Sequence, residues 1–290
     1  MATNTPFGQR LGLVLEGGAM RGIYTAGVLD VFLEAGIMPD VVVGVSAGAL
    51  HGCSYVAGQK GRSIRYYRKY RSDKHFMGLY SLLTTGDVVG TKFCYEDIPL
   101  RLDPFDEAAF EKAPVDFYVT VTNVRTGKPE YILCDELKVG SKMDVIRAGA
   151  SMPLCSKMVE WNGNLYLDGG VSDSIPYAKM KDFGCRKSIV VLTQPAGYLK
   201  QPAAMAPFEA MYRKYPAFVE AMRGRDQMYN TEVCAVEQAA KQGDVFLIRP
   251  SKLLHVGRME HDIEVLNAQY ELGRQDARNQ VDAMREWMER

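Results

Sequence analysis

Runs of apolar residues alternate with segments of helical periodicity along the first sixty residues of the chain. Residues 11–15 form an apolar run of strand length that ends in a glycine-rich turn. From Arg21 apolar side chains recur at helical spacing until Gly36, a typical helix end. Residues 41–45 predict a second strand, and residues 47–57 predict its helix. Two such units in succession are typical of parallel strands that helices cover on both faces.

The rest of the chain adds further strands and a helical end. Four more apolar runs of strand length lie at residues 117–122, 131–134, 188–192 and 245–248. Residues 194–225 follow no regular pattern and predict either a mobile cover or a plain surface excursion. Residues 258–290 have the spacing of amphipathic helices. We therefore predict a mixed, mainly parallel α/β sandwich, folded as a single domain over residues 8–290.

The charge balance argues against one class of partner. The 35 lysines and arginines equal the 35 aspartates and glutamates in number, and the isoelectric point is near 6.9. A neutral chain lacks the field of a general polyanion binder, so we predict no nucleic-acid partner. Residues 1–8 lack the features of a secretory signal, and the six cysteines lack the spacing of a zinc site. We expect reduced thiols, no metal site and a cytoplasmic location.

Ser46 lies in a Gly-x-Ser-x-Gly sequence at the point where an apolar strand meets a helix. In this context the pattern predicts a nucleophile elbow. The turn that exposes the serine is tight, so Gly44 and Gly48 are needed for steric reasons. The alternative is a serine that only caps a helix in a glycine-rich loop. In either case the helix N-terminus favours negative charge near Ser46.

The glycine-rich turn after the first strand is a candidate oxyanion hole. Its residues are Gly17, Gly18, Ala19, Met20 and Arg21. Preorganised backbone N–H groups in such a turn stabilise the tetrahedral intermediate of acyl transfer. The first two strands should be neighbours, so the turn and the serine would emerge at the same edge of the sheet. The rival interpretation is a dinucleotide fingerprint, but no acidic residue ends the second strand.

Asp168 is the most suggestive partner for Ser46. It follows a hydrophobic run and is followed by Gly169 and Gly170, and such a carboxylate can meet a group from another loop. A free aspartate has a pKa of about 3.9, so a base here needs surroundings that raise it. None of the four histidines lies in an obvious motif. An Asp-Gly turn without a chemical role is the alternative.

Together, these three segments resemble the signature blocks of the patatin-like phospholipase family. They match in order and spacing, and residues 147–153 resemble a fourth block of that family. The resemblance covers residues 11–176. It implies a three-layer α/β/α sandwich with a mainly parallel central sheet. It also implies a lipid acyl hydrolase without a cofactor, such as a phospholipase A, a lysophospholipase or a carboxylesterase.

The resemblance further implies roles for the site residues. Ser46 would be the nucleophile, Asp168 its general base, and the amides of residues 17–19 the oxyanion hole. Arg21 would lie at the edge of this hole. The family usually has a third glycine where this chain has Ala19. This departure would cost on the order of 1 kcal/mol if the position needs a positive φ.

Two other functions fit the same residues. One is an α/β-hydrolase esterase with a triad of Ser46, Asp168 and His255, which occur in that chain order. The single βα unit between the glycine-rich turn and the elbow disfavours this triad. The other is a lipid-binding protein in which Ala19 has impaired the oxyanion hole.

A basic segment offers a contact with anionic lipids. Residues 60–74, which we call the basic segment, contain a single acid, Asp73, and the cations Lys60, Arg62, Arg65, Arg68, Lys69, Arg71 and Lys74. These cations could hold the molecule peripherally against lipid head groups. The alternative is a helix face whose cations pair with acids elsewhere in the protein.

Overall fold

The computed structural model describes residues 5–290, so residues 1–4 of the segment considered as a secretory signal lie outside it. Within this range the chain forms the strands β1 (Arg10–Leu15), β2 (Val41–Val45), β3 (Asp116–Asn123), β4 (Pro129–Leu133), β5 (Val159–Trp161), β6 (Asn164–Asp168), β7 (Cys185–Val191) and β8 (Val245–Ile248). Its α-helices are α1 (Ile23–Glu34), α2 (Ala47–Val56), α3 (Arg62–Tyr70), α4 (Leu79–Thr85), α5 (Glu107–Lys112), α6 (Met143–Gly149), α7 (Ala206–Met211), α8 (Pro216–Arg223), α9 (Arg225–Gln242), α10 (Ile263–Arg278) and α11 (Val281–Glu289). None of the helices in this range combines the length and hydropathy that a membrane span requires.

The strands form one sheet in the order β5-β6-β3-β2-β1-β7-β8, and β4 pairs with β3 beside this path. The central strands β3, β2, β1, β7 and β8 are parallel, whereas β4 and β6 pair antiparallel with β3. Alternate side chains of β1 enter opposite cores. Leu13 and Leu15 belong to the core that includes α1 and α2, and Val14 belongs to the core that includes α9. The expected three-layer α/β/α sandwich with a mainly parallel sheet is therefore confirmed.

Most elements lie where the apolar pattern places them. The strand predicted at residues 41–45 is β2, and the helix predicted at residues 47–57 ends one residue earlier as α2. Every residue of β2 is buried, as the covered parallel sheet requires. The sequence does not predict β5, which lies at the edge of the sheet. Its three residues are too few to show an alternation of apolar and polar side chains.

The predicted C-terminal helices are present as α10 and α11, and α10 packs closely on α1. A side chain at Gly27 would collide with the backbone of Tyr270, and one at Gly273 would collide with the backbone of Tyr24. The two helix backbones therefore touch, which only glycine permits at these crossing points. This contact joins the end of the chain to its first βα unit and supports the proposal of a single domain over residues 8–290.

The basic segment forms α3, and most of its arginines are bound within the protein. Arg62 is buried and donates to the backbone oxygen of Asp103 at 2.9 Å. Arg65 makes two hydrogen bonds to the Asp103 carboxylate, at 2.6 and 2.8 Å. Arg71 donates to the backbone oxygens of Met259 and Glu260. The arginines of this segment thus connect α3 to neighbouring loops. This arrangement favours the alternative in which the cations of the basic segment pair within the protein instead of binding lipid.

Candidate active site

Ser46 occupies the turn between β2 and α2 with backbone angles of φ 52° and ψ −123°. A positive φ is unfavourable for serine and is typically found at functional sites. The Ser46 side chain makes no capping hydrogen bond to α2, so it does not act as an ordinary helix cap. A Cβ at Gly44 would lie 2.5 Å from the Cα of Ala49, and one at Gly48 would collide with the carbonyl of Leu15. The turn therefore has no room for side chains on either flank.

The sheet register brings Asp168 close to Ser46. Val45, the last residue of β2, pairs with Thr120 of β3, and the next residue of β3, Val121, pairs with Asp168. The serine and the aspartate thus leave the sheet at neighbouring positions on either side of β3. A Cβ at Gly169 would collide with the Thr120 carbonyl, so the chain can turn away after Asp168 only with glycine there.

Asp168 is held in a buried environment that favours its protonated form. Its Oδ1 accepts a hydrogen bond from the Gly170 amide at 2.8 Å. Burial raises the pKa of this carboxyl, while a hydrogen bond from the Ser46 side chain and the charge of Arg225 oppose the rise. The net effect is a pKa above the ordinary value, which is the direction that a general base near neutral pH requires.

The glycine-rich turn lies beside Ser46. A Cβ at Gly17 would lie 2.8 Å from the Ser46 Cβ, so only glycine lets the backbone approach the serine this closely. Ala19 has a φ of 49°. The position therefore needs the positive φ at which an alanine side chain strains the backbone. Within residues 5–290, no hydrogen-bond acceptor occupies the backbone N–H groups of Gly17, Gly18 and Ala19. These donors are therefore available to a ligand oxygen.

Glu16 fixes the start of this turn. Its carboxylate accepts hydrogen bonds from the Thr193 amide at 2.5 Å and from the Tyr229 hydroxyl at 2.9 Å. The Thr193 hydroxyl donates in turn to the Gly17 carbonyl at 2.9 Å. Burial raises the pKa of Glu16. The turn is thus attached both to the end of β7 and to α9.

Two cavities meet at Ser46, and Ala19 and Met152 also line both. The first, which we call the apolar cavity, is lined mainly by hydrophobic side chains, among them Met20, Leu50, Tyr67, Phe76, Met77, Val89, Ile98, Phe105 and Ile146. The second, which we call the polar cavity, includes Glu16, Gly17, Gly18, Arg21, Asp168, Gly170, Lys200, Phe208, Met222, Arg225, Arg258 and Met259. The candidate nucleophile is therefore reached from an apolar side and from a charged side.

Several residues of the polar cavity have no signal in the sequence. Lys200, Phe208, Met222 and Arg225 come from the irregular stretch of residues 194–225 or its end, which here covers the cavity. Arg258 comes from the loop before α10. Isolated lysines and arginines in irregular segments carry no pattern, so no motif points to them.

No histidine contacts the site within the described residues. His255 is exposed and lines neither cavity, so the geometry gives no support to a triad with Ser46 and Asp168. His51 is buried in α2, and burial lowers its pKa to about 3. Within residues 5–290, no three histidine, cysteine, aspartate or glutamate side chains lie close enough together to hold a metal ion.

A mainly parallel α/β sandwich with a serine at a strand-to-helix elbow is typical of serine acyl hydrolases. The family model described as Patatin-like phospholipase matches residues 13–180, and the chain belongs to this family. Membership supports lipid acyl hydrolysis at the level of the family. A second model, a domain of unknown function named DUF6363, matches residues 215–289, which include α9, α10 and α11.

Individual proteins resemble this chain to different extents. The protein YjjU of Escherichia coli is 28% identical over 273 residues, which cover 91% of this chain and 75% of YjjU. The lysophospholipases nte1 of Aspergillus terreus and NTE1 of Saccharomyces cerevisiae are each 30% identical, over 61% and 63% of this chain. The chain spans only 11% of the length of these two enzymes. VipD from Legionella pneumophila, a solved structure, aligns over 96% of this chain and 67% of its own, with a TM-score of 0.48 and 13% identity.

Proposed function

We propose that this protein is a serine lipid acyl hydrolase in which Ser46 is the nucleophile and Asp168 its general base. The observation that carries the proposal is the position of Ser46 where the apolar and polar cavities meet. An acyl chain in the apolar cavity would bring its ester carbonyl to Ser46, beside Asp168 and the unoccupied amides of the glycine-rich turn. Family membership supports a phospholipid, a lysophospholipid or another acyl ester as the substrate.

The arrangement suggests a two-step reaction. Asp168 accepts the proton of Ser46 Oγ as this oxygen attacks the ester carbonyl carbon. The carbonyl oxygen becomes an oxyanion, to which the amides of Gly17, Gly18 and Ala19 donate hydrogen bonds. Collapse of this intermediate breaks the bond to the leaving alcohol, which takes the proton from Asp168.

The second step releases the fatty acid. Water gives a proton to Asp168 and attacks the carbonyl carbon of the acyl-enzyme. Collapse then breaks the bond to Ser46 Oγ, which takes back the proton. This chemistry needs Asp168 ionised at the start of each step. Because burial raises the pKa of this carboxyl, activity should fall as the pH decreases through that raised value.

We place the reaction in the cytoplasm, at a membrane surface where lipid substrates are found. All six cysteines carry free thiols, which is typical of proteins in a reducing compartment.

A fluorophosphonate probe and p-nitrophenyl esters test the proposal. Wild-type protein should form a covalent adduct on Ser46, and Ser46→Ala should show neither the adduct nor ester hydrolysis. Asp168→Asn should lower kcat by roughly a thousand-fold, because its side chain is a far weaker base. His255→Ala, a matched control, should leave kcat within about two-fold of wild type. Folded wild-type protein that takes no label would contradict the hydrolase and favour a lipid-binding role.

A further inference from the structure

The polar cavity contains more positive charge than the proposed reaction uses. Arg21, Lys200, Arg225 and Arg258 all line it, and they come from four separate segments of the chain. In the part of the chain that the structure describes, none of the four forms an ion pair with a carboxylate. Four positive charges around a cavity that contains only two carboxyl groups repel one another and raise the free energy of the empty site. A charged ligand of opposite sign would remove this repulsion.

The hydrogen bonds of these side chains leave donors free for a ligand. Arg225 uses its Nε to donate to the Gly170 carbonyl at 2.6 Å, and no hydrogen bond to a described residue occupies its terminal nitrogens. The Nζ of Lys200 lies 4.0 Å from the centre of the Tyr229 ring, and no carboxylate of residues 5–290 forms an ion pair with it. The Nε of Arg21 is buried and has no hydrogen-bond partner in the described structure.

The charges of the side chains that line the polar cavity favour an anion. Burial, followed by the charge of Arg225, lowers the pKa of Lys200 to about 8, so most of its population is charged at neutral pH. The two carboxyl groups of the cavity are Glu16 and Asp168. Even with both of them ionised, the four cations of the cavity outnumber them. The cavity therefore keeps an excess of positive charge.

The lining offers little to a cation. Apart from Glu16 and Asp168 it contains no carboxylate, and Phe208 is its one aromatic ring among the described residues. A quaternary ammonium is usually held by several aromatic rings or by an acidic side chain. A choline group would therefore meet four cations, one aromatic ring and two carboxyl groups whose oxygens already accept hydrogen bonds from the protein.

We propose that the polar cavity binds the phosphate of an anionic head group, so that the enzyme selects phospholipids and lysophospholipids whose head group has no cation. Guanidinium and ammonium groups form charge-assisted hydrogen bonds with phosphate oxygens. This inference rests on the proposed hydrolase, because Ser46 lies between the two cavities. The acyl chain would occupy the apolar cavity, the phosphate the polar cavity, and the ester the junction. Lys200 and Arg258 would then determine specificity for the head group.

Short-chain lysolipids test this proposal in the absence of a membrane. Hexanoyl lysophosphatidic acid and hexanoyl lysophosphatidylcholine, both kept monomeric, are compared by kcat/KM with p-nitrophenyl hexanoate, which has no head group. Wild type should prefer the anionic lysolipid by roughly ten-fold or more, the effect of one charge-assisted hydrogen bond. The double variant Lys200→Gln/Arg258→Gln should abolish this preference, and its p-nitrophenyl hexanoate turnover shows whether the catalytic site is intact. Lys200→Arg should retain the preference, as should Lys252→Gln, which removes an exposed cation outside the cavity.

Each result decides a different claim. Equal use of the two lysolipids by wild type, or an unchanged preference in the double variant, would overturn the head-group site and leave the hydrolase intact. Failure of all three substrates to show hydrolysis that depends on Ser46 would instead overturn the proposed function. If the double variant loses p-nitrophenyl hexanoate turnover, the exposed Arg258→Gln single variant decides the question.

Inorganic phosphate distinguishes a head group from a free anion. Under the proposal it competes with the anionic lysolipid and raises its KM, while kcat for the neutral ester stays constant. A change in neutral-ester kcat on adding phosphate would assign the cavity to a free-anion effector and overturn the proposal.

Discussion

Ala19 combines a side chain with a backbone conformation that suits glycine. Its φ of 49° lies in the left-handed region, where an L-residue is less stable than glycine by about 1 kcal/mol. The strain affects the folded backbone, but the Ala19 amide still has no acceptor among the described residues, and Ala19 lines the same two cavities as Ser46. The departure from the family pattern should therefore weaken the fold slightly and leave the chemistry in place.

Replacing Ala19 with glycine tests this separation. Ala19→Gly should change the free energy of unfolding by no more than about 1 kcal/mol, because relief of strain offsets the greater freedom of unfolded glycine. Its kcat/KM for p-nitrophenyl esters should stay within about three-fold of wild type. The control Ala108→Gly, at an exposed position of α5, should destabilise by about 0.5–1 kcal/mol, as at an ordinary helical site. An increase in kcat/KM of more than about ten-fold in Ala19→Gly would show that the alanine impairs the oxyanion hole.

At the scale of elements, α9 holds the segment that follows Asp168. Glu232 of α9 accepts hydrogen bonds from the amides of Ser174 and Ile175 at 3.1 and 3.0 Å. It also shares a hydrogen bond with Asp173, which accepts another from the Tyr131 hydroxyl. Burial, followed by the negative charge of Asp173, raises the pKa of Glu232 to about 9. The two carboxyl groups therefore hold a proton between them at neutral pH.

This shared proton predicts a stability that depends on pH. Glu232 loses its proton at a higher pH in the folded protein than in the unfolded chain. The protonated side chain therefore makes its full contribution to the free energy of unfolding in acid. This contribution decreases as the pH rises toward the raised pKa of folded Glu232. Glu232→Gln mimics the protonated side chain and should gain stability relative to wild type by about 1 kcal/mol or more between pH 5.5 and pH 8. Urea unfolding at both pH values measures the difference. A difference between variant and wild type that stays constant with pH would contradict the shared proton.

The parts of the site that sequence could predict are those encoded within one element. The elbow at Ser46 is such a part, because an apolar strand, two glycines and the serine all lie within a few residues. Asp168 was also predicted as the partner of Ser46, from its Asp-Gly-Gly segment and the family resemblance, but its proximity to Ser46 depends on the register between β3 and β6, which no local pattern specifies. Lys200 and Arg258 are separated by most of the C-terminal region, and only the packed fold brings them together. Local chemistry was therefore predictable, whereas the charge of the polar cavity was not.

At the scale of the whole molecule, the apolar cavity lies next to an exposed apolar helix. Leu79 and Leu83 of α4 have relative exposures of 69% and 77%, and other apolar side chains of this helix are also exposed. Met77 and Val89 pair with each other on either side of α4, and both line the apolar cavity. The exposed leucines of α4 therefore lie between two residues that line the apolar cavity. The arginines of the basic segment, in contrast, are mostly bound within the protein.

Membrane adsorption should accordingly depend on the leucines of α4 more than on the basic segment. Leu79→Ser/Leu83→Ser should weaken binding to phospholipid vesicles by about ten-fold or more, because each leucine loses apolar area that the bilayer would bury. Hydrolysis of a monomeric p-nitrophenyl ester should persist, since neither leucine lines a cavity. Leu133→Ser on β4 and Lys69→Gln in the basic segment serve as controls that should bind vesicles nearly as wild type does. Sedimentation with vesicles measures the binding. If Lys69→Gln weakens binding more than the double leucine variant, and added salt releases the wild type, the basic segment rather than α4 holds the protein to the membrane.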